Sequence, residues 1–156
     1  MKLYHTSDKV IDTPDIYHSR DYLDFGKGFY LTSIREQAEN YGERFKRRGK
    51  EAWLSIYDFE FSEVEWKVLS FVSYNREWLN FISTCRSGSD SSDYDIVVGG
   101  IADDRVIRTL DRYFNGEISE EAALGLLAYE KPNVQYCIRS QELIDKCIKY
   151  VESIQL

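Results

Sequence analysis

Two histidines, His5 and His18, are all the chain has, so a multi-histidine metal centre is excluded and oxygen-bound magnesium is the metal chemistry left open. His5 stands in Leu3-Tyr4-His5-Thr6-Ser7 with a hydroxyl residue, Thr6, directly after it. A ring nitrogen there can give or take a hydrogen bond, although a lone histidine in such a run usually reads as structural. A second segment, Asp24-Phe25-Gly26-Lys27-Gly28-Phe29-Tyr30-Leu31-Thr32, contains a GxG. It lacks the third glycine of the dinucleotide fingerprint, and its glycines precede a strand where the fingerprint joins a strand to a helix. Two readings remain: Gly26 and Gly28 let backbone approach a ligand and deliver Tyr30 to the rim of a cleft, or they form an ordinary loop before an edge strand.

Other chemistry-bearing groups point to structure first. Cys85, Cys137 and Cys147 are odd in number and form no CxxC pair, which fits buried free thiols. Asp93, Asp95, Asp103 and Asp104 surround one apolar run; a divalent cation would suit them, but the simpler reading divides them between a loop, a strand start and a helix cap. No residue is assigned to a metal. Arg44, Lys46, Arg47, Arg48 and Lys50 form a basic cluster, read as helix capping plus a solvated face in preference to a contact for an acidic partner or nucleic acid.

The elements that position these groups follow from periodicity and caps. Leu3 to Thr6, Phe29 to Thr32, Trp53 to Phe59, Lys67 to Val72, Asp95 to Ala102 and Asn133 to Arg139 read as strands. Ser33 with Glu36 three residues later is a capping-box pattern for a helix running through Ala38, Tyr41 and Phe45 to Gly49. Trp78, Ile82 and Cys85 give one apolar face to a helix over 75–86. Asp103 and Asp104 open a helix ending near Gly116, Ser119 opens a short one, and Ser140 caps a last helix carrying Leu143, Ile144, Cys147 and Tyr150. Strands and helices alternate irregularly, which indicates α+β. Trp53, Trp66 and Trp78 are expected in the core.

With 156 residues, 43% apolar and 15% aromatic, the chain suits one domain spanning 1–156. Its polar run Ser87 to Asp93 is a surface loop rather than a linker. Twenty Lys and Arg against 27 Asp and Glu leave a charge of −7, which argues against a broad surface for polyanions and leaves only local contact. No apolar stretch approaches the roughly 20 residues of a bilayer span. The polar start, with no signal-peptide pattern, makes the cytoplasm the expected location.

Taken together, His5, the run Ser19-Arg20-Asp21-Tyr22-Leu23-Asp24-Phe25-Gly26-Lys27-Gly28-Phe29-Tyr30-Leu31-Thr32, Asp95-Ile96-Val97-Val98-Gly99 and Val134-Gln135-Tyr136-Cys137 resemble a bacterial domain-of-unknown-function family in the ADP-ribosyltransferase clan of diphtheria-toxin and PARP type. The resemblance covers nearly the whole chain. It implies a split antiparallel β-sheet core, two sheets around a central cleft with peripheral helices. It also implies an NAD site in which His5 meets the adenosine ribose, Tyr30 stacks on nicotinamide and Gln135 orients the scissile ribose. Arg20 or Lys27 would meet the diphosphate, and Thr6 and Gly28 would complete the dinucleotide contacts.

At the third position the clan's protein-modifying members carry glutamate. Gln135 can orient a hydroxyl but cannot act as a base or stabilise a developing cation as strongly; Glu130 and Glu142 are the nearby carboxylates that would substitute. The implied function is an NAD-dependent mono-ADP-ribosyltransferase, acting on an unidentified protein or nucleic-acid acceptor. Toxin–antitoxin or phage-defence roles are implied with it, as is an antitoxin partner. An NAD glycohydrolase and a non-catalytic nucleotide-binding or interaction module are the alternatives.

Overall fold

The computed structural model describes residues 1–156. Its strands are β1 (Lys2–Ser7), β2 (Phe29–Thr32), β3 (Trp53–Phe59), β4 (Val68–Ser70), β5 (Ile96–Gly99), β6 (Gln135–Ile138) and β7 (Ile148–Gln155). They form one seven-stranded sheet in the order β4-β5-β6-β2-β1-β3-β7. All pairs are antiparallel except β4 with β5, so the sheet is mixed. Two separate antiparallel sheets were expected; the structure has one. It is nevertheless parted in the middle. β1 and β2 share a single register pair, Tyr4 with Thr32, whereas β1 pairs with β3 from Lys2 to Ser7 and β2 with β6 from Phe29 to Thr32. β2 is thus central and not an edge.

The helices are α1 (Arg35–Tyr41), α2 (Glu43–Lys46), α3 (Arg76–Ser87), α4 (Asp104–Phe114), α5 (Glu120–Leu127) and α6 (Gln141–Cys147). Short polar side chains start four of them. Asn75, Asp103, Ser119 and Ser140 accept from the backbone N–H of Trp78, Val106, Ala122 and Leu143, satisfying donors that the first turn leaves unpaired. The expected Ser33 cap does not form. Thr32 Oγ1 takes the Ile34 N–H at 3.1 Å and donates to Gln37 Oε1 at 3.0 Å, and α1 starts one residue late, with Ile34 at the cap position.

Alternation along the strands divides the core by face. On one face, Phe25, Trp78, Ile82, Val97, Val106 and Cys137 pack together beneath α3, α4 and α5. On the same face, across the parting, α1 sets Ala38 against Leu54 and Ile56. On the opposite face, α6 buries Leu143 and Ile144 against Leu3, Phe29, Leu31 and Ile138. Trp78 is fully buried, while Trp53 and Trp66 are only half-buried.

The last helix was expected to reach Tyr150. It stops at Cys147, and the following residue, Ile148, is already extended at φ −106° and ψ 131°. β7 then pairs with β3 along its length, with a register shift that sets Ile56 opposite Glu152 and Tyr57 opposite Tyr150. Val151 is the extra residue of that bulge.

Candidate functional site

Between α1–α2 on one side and α4 on the other, directly over the parting of β1 and β2, lies a cleft of about 1150 Å³. His5, Tyr30 and Gln135, from three different strands, all border it. The register makes this unexpected. Tyr4 and Thr32 face each other, so Thr32, Tyr30 and Gln135 share a sheet face with Tyr4 and Thr6, and His5 alternates to the other. The divergence of β1 from β2 opens both faces to one space.

His5 occupies the gap that the missing ladder leaves. Its Nδ1 lies 2.7 Å from the carbonyl oxygen of Tyr30, and its ring packs on Phe29 at 4.5 Å between centroids. A carbonyl only accepts, so the proton sits on Nδ1 and a neutral ring keeps Nε2 as an acceptor. Burial pushes the imidazole pKa down, and the bond to Tyr30 offsets part of that. The neutral form therefore dominates at pH 7.

Tyr30 is held by its own loop. Its hydroxyl donates to Gly26 O at 2.5 Å and accepts from Phe25 N at 3.1 Å. Burial raises its pKa well above the usual phenol value, with Cys137 beside it adding to the shift. The hydroxyl is thus committed to positioning, and the ring is the part of the side chain left to border the cleft.

Gln135 is 8% exposed and borders the cleft, yet its carboxamide makes no hydrogen bond to protein and is not sealed from solvent. A nearly buried amide with free donors and acceptor facing a cavity is a ready binding group.

The remaining expected residues separate. Thr6 borders the cleft, but its hydroxyl donates to Ala38 O at 2.5 Å and fastens α1 to β1. Arg20 borders it, exposed and without an ion-pair partner. Lys27 does not border it and points to solvent. Gly28 borders it, but the need for glycine comes from β6: a Cβ there would lie 2.6 Å from both Cys137 Sγ and Ile138 O. Neither proposed substitute carboxylate reaches the cleft. Glu130 pairs with Arg105 at 3.3 Å and Glu142 with Lys146 at 2.6 Å.

Four further residues emerge from the fold. Lys9 and Arg47 border the cleft without a carboxylate partner, so with Arg20 they make three uncommitted cations around one cavity. Arg47 belongs to the basic cluster visible in the sequence; nothing around Lys9 marks it. Asp24 and Arg86 form an inner wall: Asp24 accepts from Arg86 at 2.6 Å and from Ala102 N at 2.8 Å, with side chains 13% and 25% exposed. Both buried thiols, Cys85 and Cys137, are pushed up to about 12 by burial and are not nucleophiles at neutral pH. The acidic group divides as its simpler reading has it. Asp93 pairs with Lys67, Asp95 accepts from Lys67 N, Asp103 caps α4 and Asp104 faces Arg44 at 3.7 Å.

Fold and cleft define an α+β domain with a ligand-sized site where its sheet parts. A family model described as protein of unknown function (DUF3990) matches residues 1–150, and the chain belongs to that family. No curated protein and no solved structure matches it. No helix is long and apolar enough to cross a membrane.

Proposed function

We propose that this cleft binds NAD as a substrate, in the manner of the ADP-ribosyltransferase clan, and that the protein transfers ADP-ribose to a macromolecular acceptor. The observation carrying this reading is the convergence of His5, Tyr30 and Gln135, widely separated in sequence, on one cleft over parted strands. The free polar groups suit a dinucleotide. Nε2 of His5 accepts from a ribose hydroxyl, and the Tyr30 ring offers a face to a flat heteroaromatic. Lys9 and Arg20 supply positive charge for a diphosphate.

Gln135 then orients the ribose from which nicotinamide leaves. The glycosidic bond breaks with its electron pair going to nicotinamide, the acceptor atom bonds to the anomeric carbon, and the acceptor's proton goes to water. An amide supplies no base, so the reaction is slow and depends on the acceptor's own nucleophilicity. In this reading the chain is a toxin of a toxin–antitoxin or phage-defence system, with an antitoxin as partner.

The test is NAD titration by calorimetry, followed by nicotinamide release from wild type, Tyr30→Ala and Gln135→Glu. Binding and release by wild type, loss in Tyr30→Ala and faster release in Gln135→Glu are expected. Free ADP-ribose with no modified macromolecule would instead identify a glycohydrolase, and binding without release a nucleotide-binding module. Absence of NAD binding overturns the proposal.

A further inference from the structure

We infer that the cleft-facing side of α1 and α2 binds single-stranded nucleic acid, as the acceptor in the reaction proposed above; the inference rests on that reading. The cleft, at about 1150 Å³, exceeds the roughly 300–1,000 Å³ of a typical small-ligand site, which leaves room for a second reactant. Its α1–α2 wall carries Tyr41, Arg44, Phe45 and Arg47. Tyr41 is 41% exposed, with the Arg44 guanidinium 5.0 Å from its ring centroid and Phe45 edge-on at 5.8 Å. An exposed ring beside an arginine plane is the platform on which unpaired bases stack.

Arg47 stands at the C-cap of α2 with Arg44 and Lys46 in its last turn, but their side chains are not used up there. α2 has four residues, too few for a developed dipole, and no arginine side chain bonds its carbonyls. Arg47 and Arg48 are exposed and lack a carboxylate partner, whereas Lys46 is paired with Glu43 at 3.3 Å and Lys50 with Asp8 at 3.3 Å. Arg44 meets only the exposed Asp104, at 3.7 Å, a contact a phosphate displaces at little cost. In a chain of charge −7, a weakly paired arginine on an aromatic ring, with the unpaired Arg47 beside it on the same cleft wall, favours a polyanion with flat bases over an acidic peptide, which has no face to stack. The chemistry balances: nicotinamide leaves with the glycosidic electron pair, a base nitrogen forms the bond to the anomeric carbon, and its proton goes to water.

Fluorescence anisotropy with a labelled single-stranded oligonucleotide, compared with a labelled polyglutamate peptide, tests this at 50 and 200 mM salt. Wild type is expected to bind the oligonucleotide and not the peptide, more weakly at higher salt. Arg44→Ala/Arg47→Ala should lower the salt slope by about 1.4, at about 0.7 per lost phosphate contact. Tyr41→Ala should bind roughly 5- to 150-fold more weakly, the range measured for one stacked base. Circular dichroism confirms that each variant is folded. No oligonucleotide binding at 50 mM salt, equal binding of the peptide, or unchanged binding by both variants overturns the inference. NAD calorimetry without oligonucleotide separates the two readings: NAD binding without oligonucleotide binding refutes this inference alone. Oligonucleotide binding without NAD binding upholds the surface and refutes the dinucleotide site.

Discussion

Replacing Tyr30 with phenylalanine isolates what the hydroxyl does, because the ring and its packing stay. The hydroxyl is the partner of two backbone groups, Gly26 O at 2.5 Å and Phe25 N at 3.1 Å. Removing it leaves a donor and an acceptor unpaired in a part-buried loop, at about 1–3 kcal/mol for each group that water cannot reach. Because the loop is near solvent, the lower end applies, about 2–3 kcal/mol in total. For a domain of this size that corresponds to a fall in Tm of about 5–10 °C, read by circular dichroism. On the proposed NAD reading, affinity for the dinucleotide should fall as well, since the loop that sets the ring loses its tether, while Tyr30→Ala removes both tether and face. A Tyr30→Phe melting temperature within about 2 °C of wild type would refute the positioning role.

Gly28→Ala should destabilise by about 1–3 kcal/mol through overpacking, because its Cβ would meet Cys137 Sγ and Ile138 O; urea unfolding measures it. Arg86→Met leaves the Asp24 carboxylate with only Ala102 N as a partner. The loss should be about 2–3 kcal/mol, below the full figure for a buried pair because a quarter of Arg86 is exposed, and Asp24→Leu/Arg86→Met should recover part of it in the same thermal melt. His5 makes stability pH-dependent. Burial lowers its folded pKa below the ordinary imidazole value of 6.5, so as pH falls through about 6.5 the unfolded chain takes up the proton first. Stability is complete above that pH and declines below it until the depressed folded value is reached. Unfolding free energies of His5→Gln between pH 5 and 7.5 should lack this decline; an identical profile in both proteins would count against a neutral buried imidazole.

Helix starts were legible in the sequence where one short polar residue had one donor to satisfy, as at Asn75, Asp103, Ser119 and Ser140. Ser33 misled because Thr32 Oγ1, one residue earlier, closes a turn on the Ile34 N–H and the cap position passes to Ile34, which has no side-chain acceptor. β7 was missed for two reasons. No glycine or proline separates it from α6, and the bulge at Val151 shifts the alternation so that Tyr150 and Ser153, not residues two apart, are next in phase. The members of the cleft stood out through a resemblance of motifs, and chain spacing alone gave no reason for them to meet. The Asp24–Arg86 pair spans 62 residues, and Lys9 lies in a loop without any local pattern. Lys27, conspicuous between two glycines, faces solvent because the turn directs its neighbours inward.

The narrow joint at the middle of the sheet also decides what sets the size of the cleft. β7, β3 and β1 form one laddered panel and β2, β6, β5 and β4 another; in the ladder they share one residue pair and an imidazole bond, and the core of Leu3, Tyr57 and Phe59 with Phe29, Leu31 and Ile138 crosses the joint. His5 rides on the first panel, and Tyr30 with Gln135 on the second. Their spacing is therefore set by the short joint together with the core packed across it. A molecule held in the proposed manner would touch both panels at once, so its affinity should respond to substitutions that alter the joint itself.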